Sequence, residues 1–398
     1  MSKSTRVRFL ATLVNGHPFS SDDFSNEPRG NDIPLARIRD IKNPEFTTFI
    51  DREKVPDEVV IQNGDLVIGM DGDFNSIIWD KGPAALNQRM CLLRSPDSKD
   101  LRFISYAISD QLKLINEFTY STTVKHLSSE QVLELPLPDL DLTQRHDIAY
   151  YLDRETAEID GMRADLDEME RLLTERRAAI IDTTITASET TKTVRVGYVA
   201  ELITGITYSP QDIVENGGTI VMRSGNIQKS KITLENEIQV SLDIPDKLRV
   251  QDGDILVCAR NGSANLVGKS ARLTSKEQGF TWGAFMTVVR SDLNEWLFWY
   301  LRSSQFDRMR GDFSSSTINQ LTNGTFSRIP VPIEKDPNRR NELTVELARK
   351  TAEIDSMLED ITKLRDLLAE RRAAVISAAV TGQIDIPVSL DDKDEPHA

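Results

Sequence analysis

Few residues in this 398-residue chain are spaced for catalysis or metal binding. His17, His126, His146 and His397 are scattered, and neither CxxC nor HxxxH occurs, so the sequence writes no zinc-type ligand set. A GxxxxGK[ST] phosphate loop is absent, and Gly205, Gly217, Gly218 and Gly225 lack GxGxxG spacing. Asn43-Pro44-Glu45-Phe46 comes nearest to the methylase signature [ND]PP[FY] but lacks its second proline. Asp97-Ser98-Lys99 has the carboxylate–x–Lys form of nucleases, a triplet that chance supplies in a chain of this length. Cys91 and Cys258 lie inside apolar runs with no histidine beside them, and read as buried thiols of a reducing compartment. The chemistry left to the chain is hydrogen bonding by Asn, Gln, Ser, Thr, Arg and Lys on loops.

Those loops must be positioned by something, and the positioning elements are written twice. RVRFLATLVNG (Arg6 to Gly16) matches RVGYVAELITG (Arg195 to Gly205). NGDLVIGMDG (Asn63 to Gly72) matches DGDILVCARNG (Asp252 to Gly262), and QRMCLLRS (Gln88 to Ser95) matches AFMTVVRS (Ala284 to Ser291). TVKHLSSEQVLELPLP (Thr123 to Pro138) matches TINQLTNGTFSRIPVP (Thr317 to Pro332). Finally TAEID and ERRAA recur 195 residues apart, in Glu155–Ala179 and Lys350–Ala374. Ordered matches at a nearly constant offset mean two copies of one unit, a globular domain followed by a long helix.

Within each domain, Asp65–Gly69 and Asp254–Ala259 are apolar strands entered by a Gly-Asp turn. A helix is predicted over Leu101–Phe118, with its counterpart over Glu295–Arg310. Pro136/Pro138 and Pro330/Pro332 are expected to stop regular structure and give an extended exit into the following helix. Trp282 and Trp299 read as core residues.

The two long helices carry heptads. Leu152, Ile159, Leu166, Leu173 and Ile180 are spaced by seven, as are Leu347, Ile354, Ile361, Leu368 and Val375. Met162 and Met169, and Met357 and Leu364, are expected at the companion seam positions. An intermolecular coiled coil would satisfy the heptads without accounting for the duplicated domains; an antiparallel pair within one chain accounts for both. About 35 residues at 1.5 Å each give a rod of roughly 50 Å. The expected fold is α+β: two similar globular domains, each followed by a long helix, the helices pairing as an antiparallel coiled coil with an internal pseudo-two-fold repeat. The expected boundaries are 1–140 and 191–335 for the domains, 141–190 and 336–386 for the helices, and 387–398 for an acidic tail. Two similar readers at a fixed separation suit a bipartite target, and double-stranded DNA is the commonest.

Composition bounds this further. Net charge is −15, which argues mildly against nucleic acid as a partner of the whole surface. The acid is unevenly placed, however: Met222–Pro332 carries 14 Lys+Arg against 11 Asp+Glu, the remainder 34 against 52. No apolar run is long enough to cross a membrane, and the N-terminus lacks a signal-peptide pattern, so a cytoplasmic protein is expected.

The helix ends LLTERRAAIIDTTIT and LLAERRAAVISAAVTGQIDI, above all Glu370–Asp385, together with IPLARIRDI at Ile33–Ile41, IVMRSGNI at Ile220–Ile227 and the domain signatures above, resemble the specificity (S) subunit of type I restriction–modification systems over essentially the whole chain. The resemblance implies that each globular domain is a target recognition domain reading one half of a bipartite asymmetric DNA sequence. It implies that the helices set the unread spacer and dock two methylase (modification) subunits, which bind S-adenosylmethionine and methylate adenine. Restriction (translocase/endonuclease) subunits would join with ATP and Mg. This chain would be a non-catalytic subunit holding no cofactor itself. Its acidity departs from that of a DNA reader, since affinity normally leans on Lys/Arg; the clamp would then fall largely to the methylase subunits.

Base reading uses Arg, Lys, Asn, Gln and Ser/Thr on loops. In the first domain the candidates are Asp73, Asn75, Lys81, Asn87 and Gln88 on the loop Asp71–Gln88, which also carries Trp79, and Ser121, Thr122, Thr123 and Lys125 on Tyr120–Lys125. In the second they are Arg260, Asn261, Ser263, Asn265 and Lys269 on Arg260–Lys269, and Thr317, Asn319 and Gln320 on Ser314–Gln320. Arg39 and Arg223 follow matched strands and are phosphate or base candidates.

Overall fold

The computed structural model describes residues 4–43, 45–118, 125–186, 191–235, 237–309 and 319–386. The chain forms two compact units: Met1–Asp165 with Leu364–Ala398, and Leu166–Lys363. The first unit is discontinuous in sequence, because each long helix contributes to both units.

The first domain is built on an antiparallel sheet in the order Thr12–Asn15, Met90–Arg94, Leu66–Gly69, Ser76–Ile78. Its two middle strands are unbroken apolar runs because both sheet faces are covered. Alternate residues point to opposite faces. Leu66, Ile68, Cys91 and Leu93 pack on the helix Ser98–Phe118 through Phe103, Ile104 and Ile108. Val67, Met90 and Leu92 face the other way, onto Leu35, Ile61, Trp79 and Leu86. Those residues belong to, or pack against, a five-stranded sheet containing Asp32–Ala36 and Ala84–Leu86, which pair in parallel.

The second domain repeats the plan. Glu201–Thr204, Met286–Arg290, Ile255–Cys258 and Ser270–Arg272 follow in the same order, all antiparallel. Thr219–Met222 pairs in parallel with Thr281–Trp282, as Asp32–Ala36 does with Ala84–Leu86. The close approaches are repeated too. A Cβ on Gly16 would lie 1.8 Å from the Asn87 carbonyl oxygen, and one on Gly205 would lie 2.1 Å from that of Trp282. Only glycine lets these backbones touch. Trp282 is buried, its indole donating to the Ile203 carbonyl at 2.9 Å, and Trp299 is buried likewise.

Two expectations within the domains need correction. The proline segments do not merely stop regular structure. Pro136–Pro138 and Pro330–Glu334 are strands, paired antiparallel with Ser4–Arg6 and Thr191–Arg195 in two-stranded ribbons. Among the described residues each has a partner on one side only, so a proline facing away from the ladder removes no bond. The helix expected over Glu295–Arg310 is broken into Asn294–Tyr300 and Ser304–Met309. The buried Ser303 hydroxyl donates to the Tyr300 carbonyl at 2.7 Å, and Asp182 accepts from the Ser304 N–H at 2.8 Å. These bonds compete with the helical ladder. The first-domain helix, Ser98–Phe118, has no such break.

The long helices are Leu142–Thr186 and Pro337–Val380, of 45 and 44 residues. In each unit they run antiparallel. In the first unit, Leu152 shares a core with Ile376 and Ala379, while Asp160 meets Arg372 at 3.3 Å. In the second, Ile181 and Ile185 share a core with Leu343 and Leu347, while Arg177 meets Asp355 at 2.8 Å. The seven-residue row faces inward: Leu152, Ile159, Leu347, Ile354 and Ile361 are buried, and Leu166, Leu173, Ile180, Leu368 and Val375 half-buried.

The companion row is not where the heptad placed it. Met162 is half-buried, but Met169, Met357 and Leu364 are 50%, 52% and 48% exposed. The inward row lies four residues on instead, at Thr156, Glu170 and Arg177 and at Thr351, Leu358, Arg365 and Arg372. It is largely polar. Thr156 and Thr351 return their hydroxyl protons to the Leu152 and Leu347 carbonyls at 2.6 and 2.7 Å, and Arg177 and Arg372 reach acids on the opposite helix. One apolar row flanked by an ionic row holds the pair.

Candidate nucleic-acid interface

In each domain the central strand ends where a neighbouring turn and a returning loop converge on it. In the first, the Met70 N–H donates to the Arg89 carbonyl at 3.0 Å and the Met70 carbonyl accepts from Leu127 N–H at 2.8 Å. In the second, Ala259 makes the same pair of bonds with Phe285 and Leu321, at 2.9 and 2.8 Å. The next residue then forms an isolated bridge, Asp71 with His126 and Arg260 with Gln320. This strand exit is one framework carrying two different sets of side chains.

In the first domain the exit is a charged cluster. The Asp71 carboxylate takes the Arg89 guanidinium at 2.8 Å and lies 2.7 Å from His126 Nδ1. Lys125 is drawn into its support: its ammonium donates to the carbonyl and the side-chain oxygen of Asn116 at 2.7 and 2.8 Å, and Asn116 in turn donates to the Gly72 carbonyl. Asp73 and Gln88 are exposed, and Asn75 and Asn87 half-buried. Asn75 also accepts the Gly69 N–H through its main-chain carbonyl at 2.8 Å.

Two residues of the Asp71–Gln88 loop serve the scaffold. Trp79 is buried, its indole donating to the Gly82 carbonyl at 2.6 Å. The Lys81 ammonium donates to the carbonyls of Asp40, Ile41 and Asn43 at 2.6, 3.1 and 2.5 Å, and lies 5.5 Å from the Trp79 ring centre. Three carbonyls occupy its three protons, so Lys81 is a strut rather than an outward-facing cation. Arg39, more exposed, donates to the Thr47 hydroxyl at 2.9 Å.

The second domain gathers its candidates. The Asn261 side chain donates to Ser224 Oγ at 3.2 Å and accepts from Ser263 N–H at 3.0 Å, while its own N–H donates to the Asn319 carbonyl at 3.3 Å. Asn319 donates to the Gly262 carbonyl at 3.0 Å. Arg223, beside Ser224, lines a groove of about 730 Å³ with Tyr208 and Phe285. The Arg260 guanidinium sits 5.1 Å from the Phe285 ring centre. Ser263, Asn265 and Gln320 are exposed and Lys269 is half-buried. Ser121, Thr122, Thr123 and Thr317 lie outside the described residues.

Reading the sequence missed Arg89, Asp71, His126 and Phe285. The signal was available: aligning QRMCLLRS with AFMTVVRS sets Arg89 opposite Phe285. Neither thiol is poised for chemistry. Burial pushes Cys91 up to about 12, and burial raises Cys258 as well.

Residues 10–171 match the family described as the type I restriction modification DNA specificity domain. The specificity subunit of the Escherichia coli type I restriction enzyme EcoBI is 36% identical over 178 residues, covering 44% of this chain and 37% of the relative. The StySPI specificity subunit of Salmonella potsdam is 22% identical over 289 residues, covering 66% and 62%. The chain thus spans less than two thirds of each of these relatives. The fold match is broader. A chain solved in work on complex assembly and conformational transition of the type I R-M system aligns with a TM-score of 0.68 at 15% identity, covering 96% of this chain and 98% of that one. The HsdS subunit from Thermoanaerobacter tengcongensis aligns at 0.52 and 13%, covering 96% and 97%.

Proposed function

We propose that this chain is the DNA-sequence specificity subunit of a type I restriction–modification complex. Each globular domain reads one half of a bipartite asymmetric target in double-stranded DNA, and the paired helices set the gap and dock two methylase subunits. The chain does no bond-making; S-adenosylmethionine, ATP and Mg belong to the methylase and restriction subunits, and the complex acts in the cytoplasm. The observation that carries this reading is the duplicated strand exit: one hydrogen-bonded framework holds unlike side chains at matched positions, as two readers of unlike half-sites require.

The helices support the docking role. Met169 and Leu172 lie on one helix face and are each 50% exposed, and Met357, Leu364 and Leu367 lie on one face of the other helix, also exposed. Apolar side chains on an otherwise charged surface mark a protein contact. Among the described residues no helix is long and apolar enough to cross a membrane.

The test is to co-express the chain with its candidate methylase subunit and map adenine methylation across a genome by long-read sequencing. A bipartite motif with a fixed gap, lost when this chain is omitted, is the expected result. A stable complex that methylates nothing, or the absence of any complex, overturns the proposal.

A further inference from the structure

We infer, resting on the reading above, that Arg260 reads a guanine in the half-site of the second domain, with Phe285 as the platform that aims it. Three observations converge on this residue. First, it occupies a position where the two domains agree in backbone and differ in chemistry. The bonds that fix Met70 and Ala259 are the same, yet the following residue is Asp71 in one and Arg260 in the other. Second, the partner position differs in step: Arg89, which binds Asp71, is replaced by Phe285, whose ring centre lies 5.1 Å from the Arg260 guanidinium. Third, Arg260 is exposed and no ion pair engages its guanidinium among the described residues. The cation of the first strand exit, Arg89, is paired with Asp71; that of the second, Arg260, has no acidic partner among the described residues.

Phe285 is 59% exposed, so its ring offers the Arg260 guanidinium a cation–π contact at the surface. Its carbonyl accepts both the Ala259 and the Arg260 N–H, at 2.9 and 3.0 Å, so ring and guanidinium ride on one rigid joint. A guanidinium laid on an aromatic face keeps its planar edge free, with two parallel N–H groups pointing outward. That edge matches the O6 and N7 acceptors of guanine in the major groove. Asn261, held by Ser224 and Asn319, fixes the backbone immediately after Arg260.

The experiment uses the assembled complex with its methylase subunits and duplexes carrying its methylation motif. Each guanine is replaced in turn by 7-deazaguanine, which lacks the N7 acceptor, and binding is compared for wild type, Arg260→Ala, Arg260→Lys and Phe285→Leu. The expected result is one guanine, in one half only, whose replacement weakens wild-type binding about tenfold. The same replacement costs nothing further in Arg260→Ala or Arg260→Lys, and Phe285→Leu shows an intermediate loss at that guanine alone. If Arg260→Ala does not assemble, the wild-type scan and Phe285→Leu still decide. Uniform weakening across all duplexes with a shallower salt dependence makes Arg260 a phosphate contact and overturns the inference, as does a wild-type complex indifferent to every 7-deazaguanine. A complex with no bipartite motif fails earlier, at the proposed function, and takes this assignment with it.

Discussion

Arg290 grips Asp254 through two nitrogens, Nε to Oδ1 at 2.9 Å and Nη2 to Oδ2 at 2.6 Å. Arg94 and Asp65 stand in the same relation in the first domain, where Nε reaches Oδ1 at 3.0 Å and Nη2 reaches Oδ2 at 2.9 Å. Each arginine also donates to a carbonyl upstream of its acid, Arg249 in one domain and Val60 in the other. The pair ties the end of one middle strand to the start of its neighbour. Removing one partner leaves the other charge buried and unmatched. Arg290→Met is therefore expected to destabilise the second domain by about 3 kcal/mol, and Arg290→Met with Asp254→Leu to recover most of that. Denaturant unfolding followed by circular dichroism checks both.

At Gly205 the constraint is backbone against backbone. Carbonyl oxygens of Trp282 and Gly283 lie 2.1 and 2.5 Å from where a Cβ would stand. No side chain there can move aside. Gly205→Ala is expected to cost about 3 kcal/mol or more, placing it in the severe tail of point mutations. Gly225, with open space around its Cβ position, is the control: Gly225→Ala leaves the melting temperature nearly unchanged.

The helix pair separates stability from partner contact. Ile159 and Ile354 are buried, so truncating either to alanine is expected to cost about 2–5 kcal/mol. Met357 is half-exposed, and Met357→Ala should alter unfolding by no more than about 0.5 kcal/mol. Under the proposed role, Met169→Asp and Met357→Asp instead weaken methylase association, measured by analytical size exclusion of the co-expressed pair.

The raised thiols give a pH signature. Burial holds the Cys91 thiol up to about 12, so the folded state keeps it neutral where the unfolded chain ionises. Its contribution to stability is complete below the unfolded thiol pKa of about 8.5 and is lost as pH rises from there through about 12. Cys91→Ala should flatten the alkaline limb of the stability curve. Iodoacetamide at pH 8 should label neither Cys91 nor Cys258 until the protein is unfolded, as intact mass spectrometry would record.

The repeat was legible because its matches fall on the elements that fix the fold: the middle strands, the glycine close approaches and the helix seam. The companion row was not. A heptad read as an apolar a/d seam assigns Met169 and Met357 inward, but the partner packs against positions four residues on, where Thr156 and Thr351 are buried. Polar residues there satisfy themselves locally or across the pair, a choice that apolar spacing does not express. Among site residues the sequence showed which side chains were cationic, not where they were already bonded. Lys81 and Lys125 look alike on paper to Arg260, yet both ammonium groups are tied to main-chain carbonyls, of Asp40 and Asn116. The Arg260–Phe285 stack joins residues 25 apart in sequence, and only the comparison of the two copies points to it.

Lys81 offers the sharpest contrast between scaffold and reader. Its ammonium gathers the Asp40, Ile41 and Asn43 carbonyls, which close the 3-10 turn Ile38–Ile41 over the buried Trp79. Lys81→Ala leaves those carbonyls without their donor and is expected to lower first-domain stability by about 1–3 kcal/mol. If Lys81 instead neutralised a phosphate, its loss would reduce the slope of log affinity against log salt by about one. The expected outcome is a lower melting temperature with an unchanged salt slope for the assembled complex on DNA. A reduced slope with wild-type stability would return Lys81 to the DNA-contact surface.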